Sequence, residues 1–379
     1  MLGHLMTDLN QGMLPALLPF FIAERGLSYA AAGGLVLAAN VASSLVQPIF
    51  GAMADRRPSP WLIPCGVAVA GTGLALSGLA PTYPLIAAAV GVSGLGVAAF
   101  HPEGSRAAAY VSADRRATGM SVFSTGGNLG VACGPLVITP LVLRFGLHAS
   151  LVLLVPMLFV VGFLATQLEA LAALRPGPAA GGPAGTGDRW KPFGGLAVVV
   201  VSRSVIYTGL SSFLPLFWAK ELGRSKADGA KALALLLGTG VVATLVGGRL
   251  ADRHGRRIVV LGSLLALAPL LLLLARTREP ALATLLLIPV GFALYTPFSV
   301  LVVMGQEYLP SRVGMASGVT LGLGVTAGGV AAPLLGRLAD HHGVAAPLLL
   351  VAALPVLAIA AALTLPDDRL RSAPRISAP

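Results

Sequence analysis

An apolar stretch at residues 98–110, AAFHPEGSRAAAY, holds a histidine, a glutamate and an arginine within six positions. If this stretch is helical, Glu103 and Arg106 lie three residues apart and can form an ion pair within one turn. Ionisable side chains are costly in a lipid bilayer, and those that occur usually belong to a proton, ion or substrate pathway. The stretch therefore predicts a site where His101 and Glu103 carry protons and Arg106 contacts an anion.

Asp8 and Arg203 are expected at a similar depth in the membrane. The helical rise places His101 about 25 Å from the predicted outer end of its span, and Asp8 lies sixteen residues before Glu24, at the outer end of another span. We therefore expect Asp8 and Glu103, with His101 beside them, to handle protons, and one of the two carboxylates to carry the proton. Arg203 is expected to supply a cation for substrate. A salt-bridge network near the inner side of the membrane that only holds the two halves closed is the alternative.

Three uncharged polar residues complete the predicted substrate site, namely Gln11, Asn128 and Tyr207. For Asn128, hydrogen bonding between neighbouring helices is an adequate alternative, at about 0.6 kcal/mol. No catalytic or metal-binding set is predicted. The only histidine pair, His341 and His342, has Asp340 as its sole acidic neighbour, and an enzyme would need a nucleophile and base or a metal cluster.

The composition is that of a membrane protein. The chain has 379 residues, of which 56% are hydrophobic and 11% charged, whereas soluble domains have roughly 25% charged residues. A helix needs about 20 apolar residues to cross a bilayer, so twelve crossings with short loops would nearly use up the chain. The net charge of +11 does not predict nucleic-acid binding, because the basic residues lie between apolar segments and do not cluster on a solvent-exposed surface. We predict an all-α membrane protein with twelve transmembrane helices.

The two halves of the chain repeat each other. Four pairs of segments match in order at offsets between 195 and 198, namely LPFFIA with LPLFWA, GAMADRR with GRLADRH, FHP with YTP, and ACGPL with VAAPL. A parallel duplication of this kind predicts two six-helix halves related by a pseudo-twofold axis. The predicted boundaries are an N-terminal half at 1–169, a flexible cytoplasmic linker at 170–192, a C-terminal half at 193–366 and a cytoplasmic tail at 367–379.

Basic residues predict the orientation of the chain. Sixteen lysines and arginines fall in loops and tails on the side of the N-terminus, and nine fall on the other side. Because loops with more lysine and arginine stay in the cytoplasm, both termini are expected there.

A repeated loop motif after spans two and eight predicts a gate. Its candidate residues are Gly51, Asp55, Arg56, Gly248, Asp252, Arg253 and Arg256. Small residues let helix ends approach, and Asp252 can accept from helix-terminal amides or pair with an arginine such as Arg256. An ordinary basic loop is the alternative. A third copy, GRLAD at 336–340, falls on the predicted outer side and indicates packing of helix ends.

These motifs resemble those of the major facilitator superfamily. GRLADRHGRR at 248–257 matches its loop signature Gly-x-x-x-Asp-Arg-x-Gly-Arg-Arg at every defined position, and GNLGVACGPLVITP partly resembles the antiporter signature of drug exporters. Ordinary helix packing is an equal alternative for the second motif. HLMTDLNQGMLPALLP, SSLVQPIFGAMADRR, GLGVAAFHPEGSR and SRSVIYTGLSSFLPLF narrow the resemblance to the fosmidomycin resistance group.

The resemblance implies the major facilitator fold in a bacterial inner membrane, with spans 1, 4, 7 and 10 around a cavity. It implies efflux of a small anionic or amphiphilic drug or metabolite by alternating access, driven by proton entry. No cofactor is expected beyond the proton gradient, and the expected partners are a small-molecule substrate, protons and membrane lipid, with the protein a monomer. Import of an anionic metabolite by proton symport uses the same residues and stays open. A lipid-binding receptor or membrane enzyme is disfavoured.

Overall fold

A computed structural model describes residues 1–56, 59–111, 116–173, 187–310, 312, 315–316 and 318–366. Throughout these ranges the regular structure is helical, and no β-strand occurs in them. Nine helical segments of the described chain are long and apolar enough to cross a membrane. This confirms the predicted all-α membrane class and is compatible with twelve crossings.

The N-terminal half is a bundle with its own hydrophobic core. Its helices are α1 (Leu2–Arg25), α2 (Tyr29–Arg56), α3 (Leu62–Ser77), α4 (Tyr83–Val111), α5 (Arg116–Phe145), α6 (Leu154–Thr166) and the short α7 (Leu168–Ala172), and a 3-10 helix at Leu147–Leu153 leads into α6. Buried side chains of α1 through α6 form one cluster.

The C-terminal half repeats this arrangement around two further clusters. Its helices are α8 (Trp190–Lys220), α9 (Lys226–His254), α10 (Arg256–Arg276), α11 (Pro280–Tyr295), α12 (Phe298–Tyr308), α13 (Gly324–His342) and α14 (Ala345–Leu363), with a π-helical turn at Gly318–Leu323 before α13. The helices α11 and α12 together make one span, which is interrupted at Thr296 and Pro297. Pro297 has no backbone N–H to continue the helical ladder, so a break there is expected.

The predicted linker at 170–192 is only partly described. Residues 174–186 lie outside the described ranges, as does the predicted tail at 367–379. Of the remainder, α7 extends to Ala172, and α8 begins at Trp190. The helical part of the C-terminal half therefore starts three residues earlier than the sequence analysis placed it.

Glycines on one face of α5 let this helix contact the backbone of α1. Side chains at Gly130 and Gly134 would overlap backbone atoms of Leu5 and Gly12 respectively. Both glycines belong to the motif that partly resembles the antiporter signature. In this protein the motif packs two helices tightly, which is the alternative that the sequence left open.

The two halves meet at the end of the bundle that carries the α1–α2 and α13–α14 connections, here called the closed end. Asp340 of α13 accepts hydrogen bonds from the backbone N–H groups of Tyr29, at 2.8 Å, and Ala30, at 3.0 Å, at the start of α2. Gly336 packs directly against the backbone of the same two residues. Ile22 of α1 packs into the core of the C-terminal half. The helix-end packing predicted for GRLAD at 336–340 is confirmed.

Candidate functional site

The burial pattern of α1 shows where this helix borders an open space. From Gly3 to Ile22 every residue of this helix is buried or half-buried except Gln11, which is exposed. An exposed amide in the middle of an otherwise enclosed helix indicates that open space begins there. Gln11 donates a hydrogen bond from Nε2 to Oδ1 of Asp8 at 2.6 Å. The Asp8 carboxylate is therefore buried but linked to this space through one side chain.

Asp8 lies in contact with two imidazoles. Its Oδ2 is 3.0 Å from Nε2 of His4, and its Oδ1 is 3.4 Å from Nε2 of His101. The two Nε2 atoms are 3.2 Å apart. Asp8 and His101, which were predicted to share a depth in the membrane, are in contact in the structure. His4 was missed, although its position four residues before Asp8 places it on the same helix face and was visible in the sequence.

The surroundings fix both imidazole rings. His4 stacks on the ring of Phe123 at a centroid distance of 4.0 Å, and its Nδ1 lies 2.8 Å from the Phe123 carbonyl oxygen. Nδ1 of His101 lies 2.8 Å from the carbonyl oxygen of Val97. Gly127 of α5 lies directly over the cluster, where a Cβ atom would be 2.6 Å from Oδ2 of Asp8. The glycine therefore leaves the room that the cluster occupies.

Glu103 and Arg106 face a different part of the molecule. Glu103 is fully buried and accepts hydrogen bonds from Nε of Arg106, at 2.9 Å, and from the backbone N–H of Ser59, at 3.1 Å. A second guanidinium nitrogen of Arg106 completes the ion pair, and the guanidinium lies 5.2 Å from the ring centre of Tyr110. The ion pair is confirmed. All of these partners belong to the N-terminal half, so in this structure the pair stabilises that half and does not join the two halves.

Arg203 of α8 is half-buried and has no carboxylate within 4 Å among the described residues. Its guanidinium lies 4.9 Å from the ring centre of Phe298, the first residue of α12. Tyr207 lies one turn further along α8, on the same side of the helix as Arg203. Tyr207 also contacts Tyr295 edge to face, with ring centroids 6.0 Å apart. The two tyrosines therefore pack together beside Arg203 in the C-terminal half.

Tyr295 was not predicted as a site residue. It begins the YTP segment that repeats FHP of α4, so the duplication was the available signal. Asn128, which was predicted to bind substrate, is half-buried on α5, next to Gly127.

The gating residues are only partly described, because the side chains of Asp55 and Arg56 lie outside the described set. Gly51 and Gly248 are half-buried, and Asp252 and Arg253 are exposed at the end of α9. The proposed pairing of Arg256 with Asp252 is wrong, since Arg256 pairs with Glu307 of α12. Gly255, at φ 91°, turns the chain between α9 and α10, and this turn separates Arg256 from Asp252.

His4, Asp8 and His101 form the one group of three possible metal ligands in the described part of the chain, with ligand atoms within 4.8 Å of one another. Two imidazoles and a carboxylate can hold a proton, and the same donor set suits a transition-metal ion.

Two helical halves with a polar site between them define a membrane transporter. The chain belongs to the Major Facilitator Superfamily, whose sequence model matches residues 1–323. It is a multi-pass inner-membrane protein of a transporter family and not an enzyme.

Two bacterial relatives align over nearly the whole chain. Uncharacterized MFS-type transporter YfnC of Bacillus subtilis (strain 168) is 33% identical over 97% of this chain and 92% of its own length. The Fosmidomycin resistance protein of Escherichia coli (strain K12) is 31% identical with the same coverage. The chain is therefore similar to a protein named for resistance to a drug.

Solved structures with the same fold are more distant in sequence. A bacterial homologue of the human lysosomal transporter Spinster, in an inward-facing and occupied conformation, superposes with a TM-score of 0.81 at 15% identity, over 96% of this chain and 94% of that one. The nucleoside transporter NupG gives 0.71 at 14% identity, over 96% and 97%. At these identities the likeness describes the fold alone.

Proposed function

We propose that this protein is a proton-coupled antiporter that exports a small anionic or amphiphilic solute by alternating access. The observation that carries the proposal is the pairing of two unlike sites, one in each half. A His–Asp–His cluster suited to a proton stands on α1 and α4, and an arginine without an acidic partner among the described residues stands on α8. Tyr207 lies one turn from Arg203 on the same helix.

Arg203 gives the proposed anion site its selectivity. A half-buried guanidinium with no carboxylate within 4 Å among the described residues lacks the partner that usually offsets the cost of its burial. A phosphonate or carboxylate can supply that partner through two parallel hydrogen bonds, which the planar guanidinium is shaped to donate. Tyr207 and Tyr295 stand beside it with phenolic hydroxyls that can donate further hydrogen bonds.

Alternating access would come from movement of one half against the other. Contacts across the closed end hold the halves together on one side, and in this proposal they separate when the opposite side closes. The proton gradient is the only energy source and no cofactor is used. The protein acts as a monomer in lipid with both termini in the cytoplasm.

Export is supported by the relative that is named for fosmidomycin resistance. Import by symport is the second candidate, and one observation favours it. Because Arg203 has no acidic partner among the described residues, a proton added to the Asp8 cluster makes the space between the halves more positive, which strengthens anion binding. In an antiporter, protonation must weaken solute binding instead, because the solute displaces the proton.

Purified protein in proteoliposomes tests the proposal, with fosmidomycin as the anionic probe. A pH gradient should drive probe movement, and Asp8→Asn should abolish the coupling while Lys231→Ala, on the exposed end of α9, leaves it intact. Calorimetry in buffers of different ionisation enthalpy then decides the mode, since proton release on probe binding supports antiport and proton uptake supports symport. Wild-type probe flux that is indifferent to the pH gradient would contradict proton coupling.

A further inference from the structure

We infer that His4 and His101 share a single proton between their Nε2 atoms, with Asp8 as its counter-ion. The inference rests on the proposed proton-coupled function and adds two things to it. It makes His4 a member of the proton site, and it sets the capacity of this site at one proton.

The tautomers of both histidines follow from their surroundings. Each Nδ1 lies 2.8 Å from a backbone carbonyl oxygen, that of Phe123 for His4 and that of Val97 for His101. A carbonyl oxygen only accepts hydrogen bonds, so each Nδ1 must carry a hydrogen. In the neutral form of either ring, Nε2 then has a bare lone pair. Both of these lone pairs point into the cluster.

The distance between the two Nε2 atoms, 3.2 Å, fits one proton between them. With no proton on either Nε2 atom, two lone pairs would face each other at hydrogen-bond distance and repel. With two protons, two N–H donors would face each other and repel, and each would turn to the carboxylate instead. One proton makes an N–H···N hydrogen bond and leaves both rings in contact with Asp8.

The charge balance gives the same number. One proton makes an imidazolium, a neutral imidazole and a carboxylate, which sum to zero; no proton leaves a net charge of −1, and two leave +1. A neutral cluster is the least costly of the three in a site shielded from water.

The neighbouring groups leave this balance intact. Among the described residues, no side chain outside the three forms an ion pair with the cluster. Gln11, which donates a hydrogen bond to Asp8, is uncharged. The described residues of α5 packed on the cluster, Phe123 and Gly127, carry no charge.

A shared proton also joins two helices. His4 stands on α1 and His101 on α4, so loss of the proton removes a hydrogen bond between them. It also leaves the two rings facing each other through lone pairs. Proton release would therefore change the contact between α1 and α4 as well as the local charge, which gives the cluster a direct mechanical link to the helices that line the site.

Nitrogen NMR of protein labelled with ¹⁵N-histidine and held in lipid nanodiscs tests the inference without any transport step. The chain has six histidines, and His4→Gln and His101→Gln identify the two signals. We expect both Nδ1 atoms to be protonated, and the two Nε2 atoms to show intermediate shifts that change together as one proton is titrated. Each single replacement should remove the shared signal, and His148→Gln, at an exposed position, should leave it unchanged.

Three results would overturn the inference. These are separate titration of the two rings, uptake of two protons by the cluster at once, and a stoichiometric transition-metal ion found at the cluster by elemental analysis of the purified protein. Unchanged shifts of the other four histidines report that each variant is folded.

The vesicle assay separates this inference from the proposed function. If the shared signal is present but solute flux ignores the pH gradient, the proposed function fails and the proton site stands. If flux is coupled to protons and stays coupled in His4→Gln, the function stands and the role of His4 fails.

Discussion

The carboxylate of Asp340, at the end of α13, accepts a hydrogen bond from the backbone N–H of Tyr29 at 2.8 Å, at the start of α2. A second bond from Ala30, at 3.0 Å, makes this an N-terminal cap supplied by the other half of the molecule. The first N–H groups of a helix have no partner within the helix. Here the first two N–H groups of α2 are hydrogen-bonded only while the two halves are in contact at this end.

Asp340→Ala should weaken the closed end. Loss of an N-cap typically costs about 0.5–2 kcal/mol, and in this case the loss applies only to the conformation in which the closed end is shut. Spin labels at Glu24 and Arg224, on the closed end of each half, should report a larger population at long distance. Asp228→Ala is a matched control, because Asp228 and Ser225 form a capping box within α9 alone. An equal shift in both variants would contradict a gating role.

Gly127→Ala should disturb the His4–Asp8 contact. Its Cβ atom would lie 2.6 Å from Oδ2 of Asp8, and overpacking of this kind typically costs about 1–3 kcal/mol. We expect a lower melting temperature and loss of proton-coupled flux. Gly162→Ala on α6 is the control, since a Cβ atom there meets nothing within 4 Å. Wild-type coupling in Gly127→Ala would mean that the cluster tolerates displacement.

Replacement of Arg203 by lysine should weaken binding of a phosphonate. Lysine keeps the positive charge but cannot donate two parallel hydrogen bonds from a planar group. Because hydrogen bonds to charged groups contribute about 1.5–3 kcal/mol, the expected loss of affinity is about 10- to 100-fold. Calorimetry with fosmidomycin measures it, and Arg276→Lys, at an exposed helix end, controls for general effects. Equal affinity in Arg203→Lys would exclude bidentate binding at this residue.

Glu103→Gln should destabilise the fold more than it affects coupling. Glu103 is fully buried and holds Arg106 and the backbone of Ser59, and removing one partner of a buried ion pair typically costs about 3–5 kcal/mol. Thermal unfolding should show this loss, with partial recovery when Arg106 is also replaced by Gln. Proton coupling per folded molecule should persist. A Glu103→Gln variant that is stable but no longer couples solute flux to protons would show that Glu103 takes part in proton transfer.

The helical rise was sufficient to predict which residues share a depth, but not which face they occupy. His101 and Glu103 stand two residues apart, which rotates their side chains by about 200° around a helix. They therefore lie at one level and point in nearly opposite directions, His101 toward Asp8 and Glu103 toward Ser59. A common depth is the only reason that the sequence analysis places His101 and Glu103 in one site. Arg203 and Tyr207, four residues apart, do share a face as their spacing requires.

Internal repetition predicted the architecture more reliably than the site. Four matched segments indicated two halves of six spans, and each described half has its own cores. The contacts that complete the site come from the rotation of neighbouring helices, which repetition does not specify. The stacking of His4 on Phe123 is one example. Pairing of Arg256 with Glu307 is another, because it depends on how α12 lies against the start of α10.

The interruption between α11 and α12 has a consequence for affinity. Phe298, against which the Arg203 guanidinium rests, is the first residue beyond that interruption. A swing of α12 about Pro297 would carry the ring off the guanidinium and change how tightly an anion is held. By thermodynamic reciprocity, a solute that prefers one position of the ring must bias the swing by the same factor. Pro297 would then be the hinge through which movement of α12 is coupled to binding of the solute.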